Sequence, residues 1–292
     1  MSWRTVVITR RCKLDLKMNY LVMRAEEGVS RIFLDEIGTL LIENTAVSIT
    51  GCLLAELVAK KIKVIFCDGK RNPCAELVPC YGSHDCSRKL EQQIGWKSAV
   101  KDMIWSEIVA EKIRKQAIHL RERDRQEEAA LLERYLMEIE PADASNREGH
   151  AAKVYFNALF GKDFTRAEDN AVNAALNYGY SILLSACSRE IVANGYLTQL
   201  GIFHHNMFNA FNLSCDLVEP FRILVDRVVK TEDFRIFDQE ARKKLVNILN
   251  DQVKIDGTVQ YVNQAIKIYC KSILDALSEN DVSLIKFYSY EL

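Results

Sequence analysis

At 292 residues with 49% apolar content, the chain is long enough to bury a sizeable core and to form one large domain or two. Its 39 basic and 40 acidic side chains leave a formal charge of −1, which excludes bulk electrostatic binding of nucleic acid and leaves only local basic patches for that purpose. No basic segment followed by an apolar one opens the chain, and no run of about 18 apolar residues occurs, so neither export nor membrane spanning is indicated and a cytoplasmic protein is expected.

In chain order, short runs rich in Val, Ile and Leu come first, separated by Gly, Asn and Asp: RTVVITR (4–10), NYLVMRA (19–25), VSRIFLD (29–35), GTLLIEN (38–44) and KVIFCDG (63–69). They predict strands, with one helix near CLLAELVAKK (52–61). After YGSHDCS (81–87) the pattern changes. Trp96, Val100, Ile104 and Ile108, then Leu131, Leu132, Tyr135 and Leu136, recur at helical spacing among charges. Further helices are predicted near 146–160, 170–193, 212–230, 238–251 and 262–279, and the Asp-Gly in VKIDGTVQYV (253–262) predicts a small hairpin. The expected fold class is α+β: a β-rich sheet or sandwich over 1–80, a link over 81–89, and a larger, mainly helical unit over 90–292. Neither an internal repeat nor a low-complexity segment is evident.

The nine cysteines are odd in number and lack CxxC spacing, which argues against a disulfide framework or a zinc ribbon and favours reduced thiols. Cys74, Cys80, His84 and Cys86 stand close together, at spacings that suit none of the common zinc modules.

Two segments carry candidate chemistry. GIFHHNMFNAFNLSCDLVEPFR (201–222) holds two of the five histidines, then Asp216 and Glu219 inside an apolar run. On one unbroken helix His204 and Asp216 would lie about 18 Å apart along the axis and could share no ligand. Asn209 and Asn212 offer a break, because Asn favours turns and helix starts. A fresh helix from Asn212 puts Asp216 and Glu219 on one face, and the preceding loop can fold His204 back toward them. Pro220 removes a backbone donor beside Glu219 and favours a kink there. Two readings stay open: a solvated acidic face with a structural histidine, or a metal or catalytic site. Asp216 lies between Leu213, Leu217 and Val218, in a segment suited to burial, and a buried carboxylate needs a cation or strong donors. SNREGHAAKVYF (145–156) adds Glu148, although Ser145 three residues earlier has capping-box spacing, which alone explains a Glu at a helix start.

NREGHAAKVYF and GIFHHNMFNAFNLSCDLVEPFR, in this order after a β-rich start, resemble the universal CRISPR-associated integrase family, Cas-one. SWRTVVI, KVIFCDGKRNP and YGSHD are similar to its compact form in type II systems, type II-A above all, so the resemblance spans the full chain. It implies a divalent metal held by Glu148, His204 and Glu219, with His205 an extra histidine and Asp216 a supporting or alternate acidic residue of the catalytic site. Two carboxylates and an imidazole suit Mg²⁺ or Mn²⁺. The implied reaction is transesterification, in which a 3′-hydroxyl of a short DNA fragment attacks a phosphodiester at the edge of a CRISPR repeat. The implied partners are DNA, a homodimer through the β-rich unit, and the small protein Cas-two in a heterohexamer. Type II-A relatives also add an effector nuclease and a ring-forming accessory protein. DNA contacts are expected from local cations: Lys70, Arg71, Arg88, Lys89, Arg147, Lys153 and Arg222. The rival readings are a DNA-binding scaffold whose acidic cluster is structural, and a small-molecule phosphohydrolase.

Overall fold

The computed structural model describes residues 4–77, 79, 83–232 and 234–290. Its N-terminal part runs β1 (Arg4–Ile8), β2 (Cys12–Lys17), β3 (Tyr20–Ala25), β4 (Gly28–Phe33), β5 (Ile37–Ile42), β6 (Val47–Ile49), α1 (Gly51–Ala59), β7 (Lys63–Cys67) and β8 (Pro73–Glu76). The five expected strands are present. Three more, β2, β6 and β8, lie where no Val, Ile and Leu run marks them: β2 alternates Lys13, Asp15 and Lys17 with Cys12, Leu14 and Leu16, β6 is three residues long, and β8 opens on a proline.

These strands form two four-stranded sheets, ordered β1-β5-β7-β8 and β4-β3-β2-β6. In the first, β1, β5 and β7 are parallel and β8 is antiparallel. All six residues of β5 are buried, the mark of a parallel strand covered on both faces. Leu40, Ile42 and Val64 face the second sheet and α1, whereas Leu41, Ile65 and Cys67 point the other way, into the core formed by the helices. The period-two alternation of a strand thus divides one sheet between two cores.

The remainder runs α2 (Cys86–Ile94), α3 (Ser98–Glu122), α4 (Gln126–Leu136), α5 (Arg147–Phe160), α6 (Ala171–Ala193), α7 (Asn212–Val218), α8 (Arg222–Glu232), α9 (Gln239–Asn247), β9 (Gln252–Ile255), β10 (Thr258–Tyr261), α10 (Val262–Glu279) and β11 (Tyr288–Ser289). The expected hairpin forms between β9 and β10, with Asp256 and Gly257 both at positive φ, and β11 adds a third strand to it. Instead of one helix over 212–230 there are two, because Pro220 has no N–H to continue the ladder and residues Glu219–Phe221 tighten into a 3-10 turn. Helix α6 is central, packing on α7, α8, α9 and α10 and on β7 and β8. Gly179 lets α8 approach it, since a Cβ there would collide with Val225. Hydrogen bonds from Tyr178 Oη to Glu43 (3.2 Å), Ser185 Oγ to Glu76 (3.0 Å) and Arg189 Nε to the Lys61 carbonyl (3.0 Å) fasten α6 to the sheet.

Among the described residues no helix is long and apolar enough to cross a membrane. The eight described cysteines are free thiols; Cys80, with Tyr81 and Gly82 of the YGSHD segment, lies outside the described residues.

Candidate active site

Glu148 stands in the first turn of α5, and the loop before it is unusual. Ala142, Asp143 and Asn146 all have positive φ, between 52° and 56°, a conformation that non-glycine residues enter only when held. Asp143 holds it: its carboxylate accepts from the backbone N–H of Arg147 (2.8 Å) and of Glu148 (2.9 Å). Asn146, not Ser145, is the N-cap and accepts from the Gly149 N–H, while the Ser145 hydroxyl donates to the Glu138 carbonyl. With the helix start satisfied by Asp143 and Asn146, the Glu148 side chain serves no capping box and turns inward.

It meets Glu219 there. Lys112, from the middle of α3, donates to Glu148 Oε1 and to Glu219 Oε2, each at 2.5 Å. Glu219, 4% exposed, also accepts from Arg222 Nε at 2.9 Å, and the Arg222 guanidinium lies 4.7 Å from the centre of the Tyr180 ring. Burial works against its charge, yet Arg222 and Lys112 outweigh burial and hold the carboxyl below its usual range. Burial likewise works against the Lys112 ammonium, and here Glu219 and Glu148 win, so its pKa is raised.

Asp216 and Glu219 do not act alike. Asp216 is fully buried and faces the loop before α7, where it accepts from the backbone N–H of Ile202 (2.6 Å), Phe203 (3.2 Å) and His204 (3.1 Å). Its Oδ1 also lies 2.6 Å from His204 Nδ1. Gly201 makes this wrapping possible, because a Cβ there would strike the His204 carbonyl and the Asp216 carboxylate. The hydrogen bond to Asp216 is the main reason that the His204 pKa is raised, with Glu219 and Glu148 contributing from further away. The ring stands edge-on to Trp105 and Phe203, each at 5.7 Å, and those two stack on one another at 4.5 Å. A carboxylate on Nδ1 fixes the tautomer that leaves Nε2 as a lone-pair donor, the usual arrangement of a metal-binding histidine.

Glu148 and Glu219 share one cation, the Lys112 ammonium, and carboxylate oxygens are the donor type that a hard divalent ion takes. As the side chains stand, Lys112 occupies the place between them, and among the described residues no three His, Cys, Asp or Glu side chains gather closely enough to hold an ion. Behind Lys112 is a cavity of about 240 Å³ lined by Gln116, Arg166, Tyr180, Arg222 and Asp226. Tyr180 donates to Asp226, and burial pushes that carboxyl up to about 6.

The family model described as "CRISPR associated protein Cas1" matches residues 5–232. The chain belongs to the Cas1 family. A CRISPR-associated endonuclease Cas1 of Neisseria meningitidis serogroup C (strain 8013) is 31% identical over 308 residues, covering 100% of both chains. A Cas1 of Thermus thermophilus is 34% identical over 165 residues, 47% of this chain and 52% of the relative. Among solved structures, a Cas6-RT-Cas1–Cas2 complex aligns with a TM-score of 0.76 at 18% identity, over 99% of this chain and 36% of that one. A casposase bound to integration product aligns at 0.75 and 18% identity, over 97% and 93%. The last two likenesses carry the Cas1-family fold alone.

The basic residues expected from sequence are spread over the molecule. Arg222 is inside the site, tied to Glu219. Arg147 pairs with Glu138 and stacks on Tyr135, Arg88 pairs with Asp85, and Lys89 lies over the Tyr196 ring. Arg71 sits 3.9 Å from Glu43, Lys70 lies in the turn after β7, and Lys153 is exposed on α5. Sequence patterns missed Lys112 and Asp143. For Lys112 a signal existed: Val100, Ile104 and Ile108 step by four along α3, and Lys112 and Gln116 continue the same series as polar residues.

Proposed function

We propose that this Cas1-family chain is a divalent-metal-dependent DNA integrase and endonuclease, which joins the 3′-hydroxyl of a DNA fragment to the edge of a CRISPR repeat. The convergence of Glu148 and Glu219 on one cation position, beside a histidine whose Nδ1 is held by Asp216, carries the reading. Glu148, Glu219 and His204 Nε2 would hold Mg²⁺ or Mn²⁺. Such an ion neutralises phosphate charge and favours oxygen attack when bound. Transesterification breaks one P–O bond as another forms, and the proton of the attacking hydroxyl ends on the leaving oxygen, so no other reactant is needed. Asp216 keeps the imidazole in its donor tautomer. Arg222, beside Glu219, opposes the negative charge that builds on the attacked phosphate.

The same reading includes a homodimer through the β-rich unit over 1–80, the helical unit over 90–292 as the catalytic part, and Cas2 as partner in a heterohexamer; one structural neighbour is itself part of a Cas6-RT-Cas1–Cas2 complex. For a type II-A member it adds the ring-forming accessory protein and the effector nuclease. Lys70, Arg71, Arg88, Lys89, Arg147 and Lys153 would meet DNA phosphates.

A salt titration of DNA affinity beside a strand-joining assay tests the proposal. Glu219→Ala should keep or tighten DNA binding, because a carboxylate near the backbone is removed, and should lose joining with either ion. Full joining by that variant would leave a non-catalytic DNA-binding scaffold as the better reading.

A further inference from the structure

The C-terminal strand β11 lies beyond the family match, which ends at residue 232, yet it packs against the turn that carries Glu219. Tyr288 is 2% exposed, and its hydroxyl donates to the Pro220 carbonyl at 2.9 Å, one residue from Glu219. Its ring packs on Phe221, the last residue of the same turn, with centroids 4.7 Å apart. Tyr288 also holds α3. Lys115 Nζ donates to the Tyr288 carbonyl at 2.7 Å and stands 4.1 Å from the centre of its ring, and the same ammonium pairs with Glu111. Lys115 lies about one turn of helix past Lys112. One residue thus touches both elements whose side chains meet where Lys112 donates to Glu219: helix α3 through Lys115, and the 219–221 turn through Pro220 and Phe221.

Tyr288 is itself held from several directions. It pairs with Ile255 of β9, and two residues earlier Lys286 donates its N–H to Ser272 Oγ (3.0 Å) and its ammonium to Asp256 (2.7 Å). The single phenol proton goes to the Pro220 carbonyl, which can only accept, so Tyr290 Oη, 3.2 Å away, donates to Tyr288 Oη. The Arg227 guanidinium in turn covers the Tyr290 ring at 4.0 Å. A second tyrosine supplies the contrast. Tyr269 of α10 is fully buried and packs on Phe221 at 5.3 Å, but its hydroxyl has no hydrogen-bond partner among the described residues. Two tyrosine rings therefore hold Phe221, and of the two Tyr288 alone donates to the backbone of the turn.

We propose that Tyr288 is a positioning residue for Glu219: it sets the separation between α3 and the 219–221 turn, and so the place of the Glu219 carboxylate relative to Lys112 and Glu148. A site of this kind needs its side chains held to within about 0.5 Å. A 3-10 turn at a proline has poorer hydrogen-bond geometry than the helices on either side, so a fixed donor at its carbonyl and an aromatic wall at Phe221 bear directly on where residue 219 sits. The inference rests on the metal-site reading above and extends that site to the C-terminal strand.

Tyr288→Phe keeps the ring and removes the hydroxyl, and Tyr269→Phe, which removes a hydroxyl without a partner, is the matched control. Both changes leave the rings on Phe221 in place, so both chains should fold, as circular dichroism checks. Mn²⁺ titration followed by electron paramagnetic resonance should show affinity lowered roughly 3- to 30-fold in Tyr288→Phe and unchanged in Tyr269→Phe. In the strand-joining assay Tyr288→Phe should lower turnover at saturating DNA and leave DNA affinity as it was, because Tyr288 is buried. A second readout needs no metal. The fall in melting temperature caused by Tyr288→Phe should be smaller in a Lys112→Met background than in the unaltered chain, since the contact being positioned is already gone. Any one of three results overturns the proposal: equal Mn²⁺ affinity in Tyr288→Phe and the unaltered chain, an equal loss in Tyr269→Phe, or falls in melting temperature that simply add. If the unaltered chain binds no Mn²⁺, the metal reading of the site fails, and the melting temperatures alone decide the role of Tyr288.

Discussion

Lys112→Met is the sharpest perturbation that the site offers. It removes one ammonium that two carboxylates share at 2.5 Å and leaves Glu219, almost fully buried, with Arg222 alone. Removing one partner of a buried ion pair costs about 3–5 kcal/mol, because a charge stays buried without compensation. For 292 residues at about 2.1 cal/mol/K of unfolding entropy each, that loss corresponds to a fall in melting temperature of roughly 5–8 °C. A divalent cation should reverse the fall. It suits the same pair of oxygens, and a ligand present at 100 times its Kd returns about 2.7 kcal/mol. Mn²⁺ should therefore bind Lys112→Met more tightly than the unaltered chain and raise its melting temperature further. Scanning calorimetry with and without Mn²⁺, and Mn²⁺ titration followed by electron paramagnetic resonance, measure both effects. An unchanged melting temperature, or Mn²⁺ affinity no better than that of the unaltered chain, would refute the idea that the lysine and the metal compete for one position.

Asp216→Asn should move the His204 proton from Nδ1 to Nε2, lower its pKa and weaken Mn²⁺ binding roughly 10- to 100-fold. Nitrogen-15 NMR of the ring reports the tautomer, and an Nδ1 proton in both proteins would count against the assignment. Asp226→Asn should stabilise the fold at neutral pH. The folded carboxyl keeps its proton to about pH 6 whereas the unfolded one loses it near 3.8, so the native state binds more protons between those values and loses stability as pH rises through them. The gain from the substitution should be absent below pH 3.8, grow across the window and level off above pH 6 at up to about 3 kcal/mol; urea unfolding at several pH values decides it. Asp143→Ala should cost about 1–2 kcal/mol by freeing the first amides of α5, and should weaken Mn²⁺ binding without touching Glu148 itself.

Local signals carried most of the architecture. Valine and isoleucine runs marked the long strands, Asp256-Gly257 marked the hairpin, and Asn212 with Pro220 marked the start and break of the helices around Glu219. Interactions between distant segments were beyond their reach. Lys112 is 36 residues from Glu148 and 107 from Glu219, and only the packing of α3 against α5 and the 219–221 turn brings the three together. The capping-box spacing of Ser145 misled for a related reason: the loop enters α5 through left-handed residues, and that geometry passes the cap to Asn146 and Asp143. Strand β2 escaped notice because its outward lysines hide a regular alternation.

The sheet ordered β1-β5-β7-β8 has a consequence for how the molecule comes apart. Its inner strands lend Leu40 and Val64 to one core and Leu41 and Ile65 to the other, so neither core can melt and leave the other dry. Heat should therefore open the chain in one cooperative event, with a single calorimetric peak whose van't Hoff and measured enthalpies agree. Cutting the chain near residue 80 should yield two sticky fragments instead of two native ones. Strain on the β1-β5-β7-β8 sheet itself would pass through β7 and β8 to α6, the helix that carries Tyr180 of the cavity behind Lys112.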